Sequence, residues 1–208
     1  MKILIADDHA IVRRGLKEIL LDEYPSAIID EARDAEELLK KVFQDKWDLV
    51  ISDLNMPGRS GLDALKQIKQ AFPKVPVLIM SVYSEDQYAV RAFGAGASGY
   101  FNKNCIHEEV FKAIESVRKG KKYITASVAE KLADAIPAQG DEKPHQQLSD
   151  REFEVFKLLA TGKTVSEIAN QLSLSSNTVS TYRARILDKM NMHSNNELMR
   201  YALELKLF

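Results

Sequence analysis

The chain has 208 residues, 45% of them hydrophobic and 28% charged, with a formal net charge of -1. That is an ordinary globular composition with room for one large or two small domains, and it excludes a global field drawing the chain to nucleic acid or membrane. No apolar run approaches the roughly 18 residues a membrane span needs, Cys105 is alone and so excludes an internal disulfide, and Asp7-Asp8 arrive before a signal-peptide core could form; the cytoplasm is expected.

Residues 2–6, Lys-Ile-Leu-Ile-Ala, read as a buried strand that runs into Asp7-Asp8. Residues 10–24 have helical spacing through Ile11, Leu16, Ile19 and Leu20, stopped by Pro25. Ala27 to Ala32 is a second strand, and Asp34 opens a helix with Leu38, Leu39, Val42 and Phe43 inward. Strand 48–53 ends in Asp53 and is followed at once by the Pro57-Gly58 turn. Ser60 and Asp63 open a helix through Leu62, Leu65, Ile68 and Phe72. Strand 77–81 ends in Ser81, and Ser84 to Gln87 is a capping box for the helix after it. Ser98 to Phe101 is a short strand followed by Lys103, and a last helix runs from about Glu108 to Lys119. Five strand–helix pairs predict an α/β, flavodoxin-like, doubly wound five-stranded parallel sheet.

Beyond residue 120 the strand signal is lost. A capping box at Ser127 to Glu130, with Val128, Leu132 and Ile136, predicts a short helix, and Pro137 to Pro144 predicts an exposed linker. From Leu148 onward capping patterns at Ser149, Thr164, Ser175 or Ser176, and Ser194 mark four helices. The break between the second and third is tight, as in a helix-turn-helix. The expected division is 1–120, a linker with a short helix over 121–147, and a small all-α domain over 148–208.

A parallel sheet brings its strand ends to one edge. There it would gather Asp7, Asp8, Asp53, Ser81 and Lys103, a set suited to a divalent cation and a phosphoryl group. These residues, Asp53 within Ser-Asp-Leu-Asn-Met-Pro-Gly and Lys103 within Gly-Ala-Ser-Gly-Tyr-Phe-Asn-Lys, resemble the receiver domain of two-component response regulators. The resemblance implies that Asp53 accepts a phosphoryl group from a sensor histidine kinase. It implies Mg2+ held by Asp7, Asp8, Asp53 and the backbone carbonyl of Asn55. Lys103 would meet the phosphoryl oxygens, and Ser81 and Tyr100 would act as the switch. Asn55 and Tyr83 would tune the lifetime of the phosphorylated state. Related receivers often carry a proline after this lysine, where Asn104 stands here. His9 is taken as a plain neighbour of the site, because Mg2+ prefers oxygen.

The wording Leu-Ser-Asp-Arg-Glu-Phe-Glu-Val, Gly-Lys-Thr-Val-Ser-Glu-Ile-Ala and Leu-Ser-Leu-Ser-Ser-Asn-Thr-Val-Ser-Thr-Tyr-Arg resembles the DNA-binding domain of the LuxR/NarL/FixJ class. From Leu148 the chain has eight basic and seven acidic residues, a weak excess for binding double-stranded DNA. Asn177, Thr178, Ser180 and Thr181 lie at the start of the third helix, the end that reaches base edges. Arg183, Arg185 and Lys189 follow as phosphate contacts, whereas Val179, Ile186 and Leu187 belong to the core. Related domains often carry lysines where Asn177 and Ser180 stand. Fewer phosphate contacts per copy imply a greater need for a homodimer, formed on phosphorylation through either the Tyr100 face or the first-helix face near Arg13 and Arg14.

The expected function is a phosphorylation-controlled transcription regulator, not an enzyme beyond self-phosphorylation and autodephosphorylation. A haloacid-dehalogenase-like phosphatase would need a second aspartate at position 55, which is Asn. A phosphorylation-independent regulator would have lost part of the acid, serine and lysine set, which is complete.

Overall fold

Short β-rich apolar runs separated by amphipathic helices leave the strands covered on both faces, and the sheet forms in that way. The strands are β1 (Lys2–Ala6), β2 (Ile28–Ala32), β3 (Leu49–Asp53), β4 (Val77–Ser81) and β5 (Gly99–Asn102). All neighbours pair in parallel, in the order β2-β1-β3-β4-β5. This is the expected flavodoxin-like sheet. The computed structural model describes residues 1–82, 86–134, 143–205 and 207. They divide into two units, Met1–Ala135 and Ile136–Phe208.

In the first unit the helices are α1 (Ala10–Glu23), α2 (Ala35–Gln44), α3 (Gly61–Ala71), α4 (Asp86–Gly94), α5 (Ile106–Arg118) and α6 (Ala126–Asp134). Alternate strand residues point to opposite faces. Ile3, Ile5, Leu49, Ile51, Leu78, Met80 and Phe101 pack with Leu16 and Leu20 of α1 and Val110, Ala113 and Ile114 of α5. Their alternates, Leu4, Val50 and Ile79, are equally buried on the other face. Each fully buried Leu or Ile contributes about 1.5–3 kcal/mol.

Three expectations change. Phe43 is 58% exposed rather than inward. Leu38, Leu39 and Val42 complete the buried stripe of α2, and the next residue turns away; its ring packs edge-on against Phe72, with centroids 5.2 Å apart. Ile11 is 83% exposed, since it sits roughly 140° around α1 from Leu16 at 100° per residue. Finally, α6 starts ahead of the Ser127 box: the backbone N–H of Val128 donates to Thr125 Oγ1 at 3.4 Å. It packs on α4 within the first unit, with Val128 wholly buried. Residues 121–134 therefore group with the first unit. The expected capping box at Ser84, and the linker residues from Pro137 to Glu142, lie outside the described residues.

The second unit has four described helices: α7 (Asp150–Ala160), α8 (Val165–Leu172), α9 (Ser176–Lys189) and α10 (Asn195–Glu204). Capping boxes at Ser149 and Thr164 and side-chain caps at Ser175 and Ser194 satisfy the first-turn N–H groups. Ser175, not Ser176, is the cap of α9. The break between α8 and α9 passes through Ser173 in the left-handed region, φ 53°. Phe153, Phe156, Ile168, Val179, Ile186, Leu198 and Ala202 form the buried interior; Leu187 is only half-buried.

Candidate functional site

Strand order reverses between β1 and β3, so connections leave these strands toward opposite ends of the sheet and open a crevice at their carboxyl ends. Asp7 and Asp8 follow β1, and Asp53 ends β3. Asp7 is fully buried and Asp53 is 3% exposed. Lys103 stands just past β5, in a 3-10 turn over Lys103–Cys105. Its Nζ lies 2.6 Å from Asp7 Oδ2 and 2.8 Å from Asp53 Oδ2. One ammonium bridges two buried carboxylates.

That arrangement is short of positive charge. Burial pushes the Asp53 carboxyl up to about 7; Lys103 opposes this, Asp7 adds to it, and the backbone N–H of Asn55 opposes it. Burial also works against the charge of Lys103, but Asp53 and Asp7 hold it above its ordinary value. Oxygens of Asp7, Asp8 and Asp53, with a ring nitrogen of His9, lie within 4.8 Å of one another. Opposite ligands of one cation at about 2.0–2.2 Å span about that distance. The acidic pocket is thus of the kind that takes a divalent metal.

Asp7 is braced by its own loop. Asp7 Oδ1 accepts the backbone N–H of His9 at 2.8 Å. The Asp7 carbonyl accepts Arg13 Nη1 at 2.7 Å, while Arg13 Nε reaches Glu31 at 3.3 Å. Arg13, 16% exposed, holds the acidic loop through these two contacts. Behind Asp53, a Cβ on Gly61 would lie 2.0 Å from the Asp53 carbonyl oxygen. Only glycine lets α3 begin so close to the acid.

Ser81 at the end of β4 and Tyr100 in β5 are both fully buried. Register pairs Ile79 with Tyr100 and Ser81 with Asn102, which brings Lys103 to the same edge. Asn55 is half-buried; Tyr83 lies outside the described residues. Sequence reasoning set His9 aside, yet its Nδ1 is 2.8 Å from Asp8 Oδ1 and 3.2 Å from Asp7 Oδ1. It also passed over Arg13 as a brace and Gly61 as a spacer. The signal for His9 was its place at the N-cap of α1, where Ser, Thr, Asp or Asn is usual.

In the second unit, Asn177, Ser180, Thr181 and Arg185 are exposed on α9, and Thr178 is half-buried. Thr178 Oγ1 lies 2.8 Å from Ser175 Oγ, and Thr181 Oγ1 donates to the Asn177 carbonyl at 2.9 Å. Arg183 is half-buried, its Nε donating to Asn195 Oδ1 at 2.7 Å. Lys189 Nζ is 2.7 Å from Oε2 of buried Glu152. Burial works against the Glu152 charge, but Lys189 and Ser149 outweigh it and hold its carboxyl below the ordinary value. Arg183 and Lys189 thus have structural partners that the sequence did not suggest.

Two family models match: the response regulator receiver domain over residues 3–115 and the luxR family of bacterial regulatory proteins over residues 146–202. The chain belongs to the response regulators. It is 34% identical over 204 residues to response regulator UvrY of Escherichia coli K12, covering 98% of this chain and 94% of that protein. It is 37% identical over 214 residues to oxygen regulatory protein NreC of Staphylococcus carnosus, covering 100% and 99%. Among solved structures it is similar to RcsB of Salmonella enterica serovar Typhimurium, bound to promoter rprA with phosphomimetic BeF3-. That match has a TM-score of 0.63 and 25% identity over 97% of this chain and 98% of that one. The regulator therefore joins a receiver to a LuxR-type DNA-binding domain and controls transcription through phosphorylation; it is not a typical catalytic enzyme. No helix among the described residues is long and apolar enough to cross a membrane.

Proposed function

We propose that Asp53 is the phosphoacceptor of this regulator and that phosphorylation there drives dimerisation and operator binding. The observation that carries the reading is the single ammonium of Lys103 shared between the buried carboxylates of Asp7 and Asp53. The Asp53 carboxylate attacks the phosphorus of a phosphohistidine on the sensor kinase. The new phosphorus–oxygen bond forms as the phosphorus–nitrogen bond breaks, and the histidine ring leaves with a proton. Mg2+, held by Asp7, Asp8, Asp53 and the backbone carbonyl of Asn55, would neutralise charge on the transferring oxygens. Lys103 turns from the carboxylates to a phosphoryl oxygen, and Ser81 donates its hydroxyl to another. The β4 end follows Ser81, and Tyr100 repacks beside it. Asn55 and Tyr83 then govern water access, and so the rate of autodephosphorylation.

On this reading residues 1–120 with α6 act as the receiver and 148–208 as the DNA-binding domain, working in the cytoplasm. Asn177, Thr178, Ser180 and Thr181 face base edges, with Arg185 on a phosphate. The solved complex of RcsB with promoter DNA and a phosphomimetic supports the coupling. The complete acid, serine and lysine set speaks against a degenerate receiver. Acetyl phosphate with Mg2+ should label the wild type and not Asp53→Asn. Label persisting at the wild-type level in that variant would refute the assignment.

A further inference from the structure

Given the cation pocket proposed above, we propose that His9 is a fifth protein ligand of the bound metal, which tunes the pocket toward divalent ions that accept nitrogen. His9 occupies the N-cap of α1 but makes no side-chain cap there. Its backbone is fixed without help from the ring: its N–H donates to Asp7 Oδ1, and its carbonyl accepts the N–H groups of Val12 and Arg13 at 3.1 and 3.2 Å. The ring is 64% exposed, yet Nδ1 turns inward to 2.8 Å from Asp8 Oδ1 and 3.2 Å from Asp7 Oδ1. That nitrogen belongs to the group of ligand atoms lying within 4.8 Å of one another, together with Asp7, Asp8 and Asp53.

Three carboxylates and a backbone carbonyl suit a hard, oxygen-seeking ion such as Mg2+. An imidazole nitrogen adds little for Mg2+ but favours Mn2+, Fe2+ and the later divalent metals. Ligation through Nδ1 requires that nitrogen's lone pair, which the Nε2-protonated tautomer of a neutral imidazole supplies.

The full-length protein loaded with Mn2+ tests this by electron spin-echo spectroscopy, which detects nitrogen bound directly to the ion. The wild type should show nitrogen coupling of a bound imidazole, and His9→Ala should lose it. In that variant Mn2+ affinity should fall about tenfold while Mg2+ affinity stays within about twofold. Mn2+ binding without nitrogen coupling in the wild type would overturn the proposal and leave the carboxylate pocket standing. An equal loss of Mn2+ and Mg2+ affinity in His9→Ala would also overturn it, because His9 would then act only by orienting Asp8. Mn2+ binding that survives unchanged in Asp8→Asn would instead remove the pocket reading itself, and His9 ligation with it.

Discussion

Lys103 of the receiver is 10% exposed and lies within 2.8 Å of two buried carboxylates. On α9, Arg185 is exposed, Lys189 is 40% exposed against a buried glutamate, and Arg183 is tied to Asn195. In the receiver the charged groups converge, so each one's state depends on the others and a single added charge shifts all of them. On α9 the charges are dispersed, and each has its own task of packing, pairing or display. Proximity to the working face is therefore not enough to assign a role. A charge that is coupled works through chemistry; a charge that is displayed works through the counterions it releases.

Removing Lys103 should break the coupling most severely. Lys103→Met leaves Asp7 and Asp53 buried and facing one another without their shared cation. Losing one partner of a buried ion pair costs about 3–5 kcal/mol. The cost should be largest at pH 8, where Asp53 is ionised, and smaller at pH 5, where Asp53 is protonated at its raised value of about 7. Urea denaturation at the two pH values measures it. Equal costs at both would show that the ammonium is not coupled to Asp53.

Asp53→Asn should have the opposite sign. The unfolded chain releases the Asp53 proton at about 3.8 and the folded one at about 7. Between those values the folded state binds more protons, so stability falls as pH rises, and above 7 the penalty is complete. The substitution removes the penalty. Metal-free Asp53→Asn should be more stable than wild type at pH 8 by about 2–4 kcal/mol, since each tenfold change in proton affinity is worth at most about 1.4 kcal/mol. The gap should close toward pH 4. Adding Mg2+ should stabilise the wild type alone. Thermal or urea midpoints across pH 4–8 check the trend; a gap that does not vary with pH would show that burial does not raise Asp53.

The receiver was more legible in the sequence than the DNA-binding half, for a physical reason. A parallel sheet fixes where strand ends go, so Asp7, Asp53, Ser81 and Lys103 converge once the strands are recognised. Nothing comparable constrains a lysine on a helix: whether Lys189 meets DNA or Glu152 depends on how α7 crosses α9, and the spacing of residues does not encode that. Gly61 escaped notice because its contact is with the backbone of Asp53, eight positions away and invisible to side-chain patterns. Phe43 was misplaced because one residue of helical advance separates the inner face from the outer.

Lys189→Ala should sharpen the distinction on α9 itself. Glu152 is 3% exposed, and its carboxylate would be left with Ser149, whose backbone N–H donates to it at 2.8 Å. A buried acceptor that loses a charged partner costs about 1–3 kcal/mol. The salt dependence of DNA binding should hardly change, because the lysine is committed inward. A lower salt slope with unchanged stability would place Lys189 on the phosphate backbone instead.

Arg185→Ala should be the smallest change in stability and the clearest in binding. The side chain is exposed on α9, so its loss should move stability by no more than about 0.5 kcal/mol. If it meets a phosphate, each contact removed lowers the slope of log affinity against log salt by roughly one. The loss should be uniform across operator variants, since phosphate contacts position the protein without reading sequence. Asn177→Ala supplies the contrast: exposed at the first turn of α9, it should cost about 1–3 kcal/mol at one base position and leave the slope unchanged. Titrations of both variants over a range of salt, on the operator and on single-base variants of it, separate the two effects. A slope change in Asn177→Ala, or a base-specific loss in Arg185→Ala, would reverse the roles assigned to the two positions.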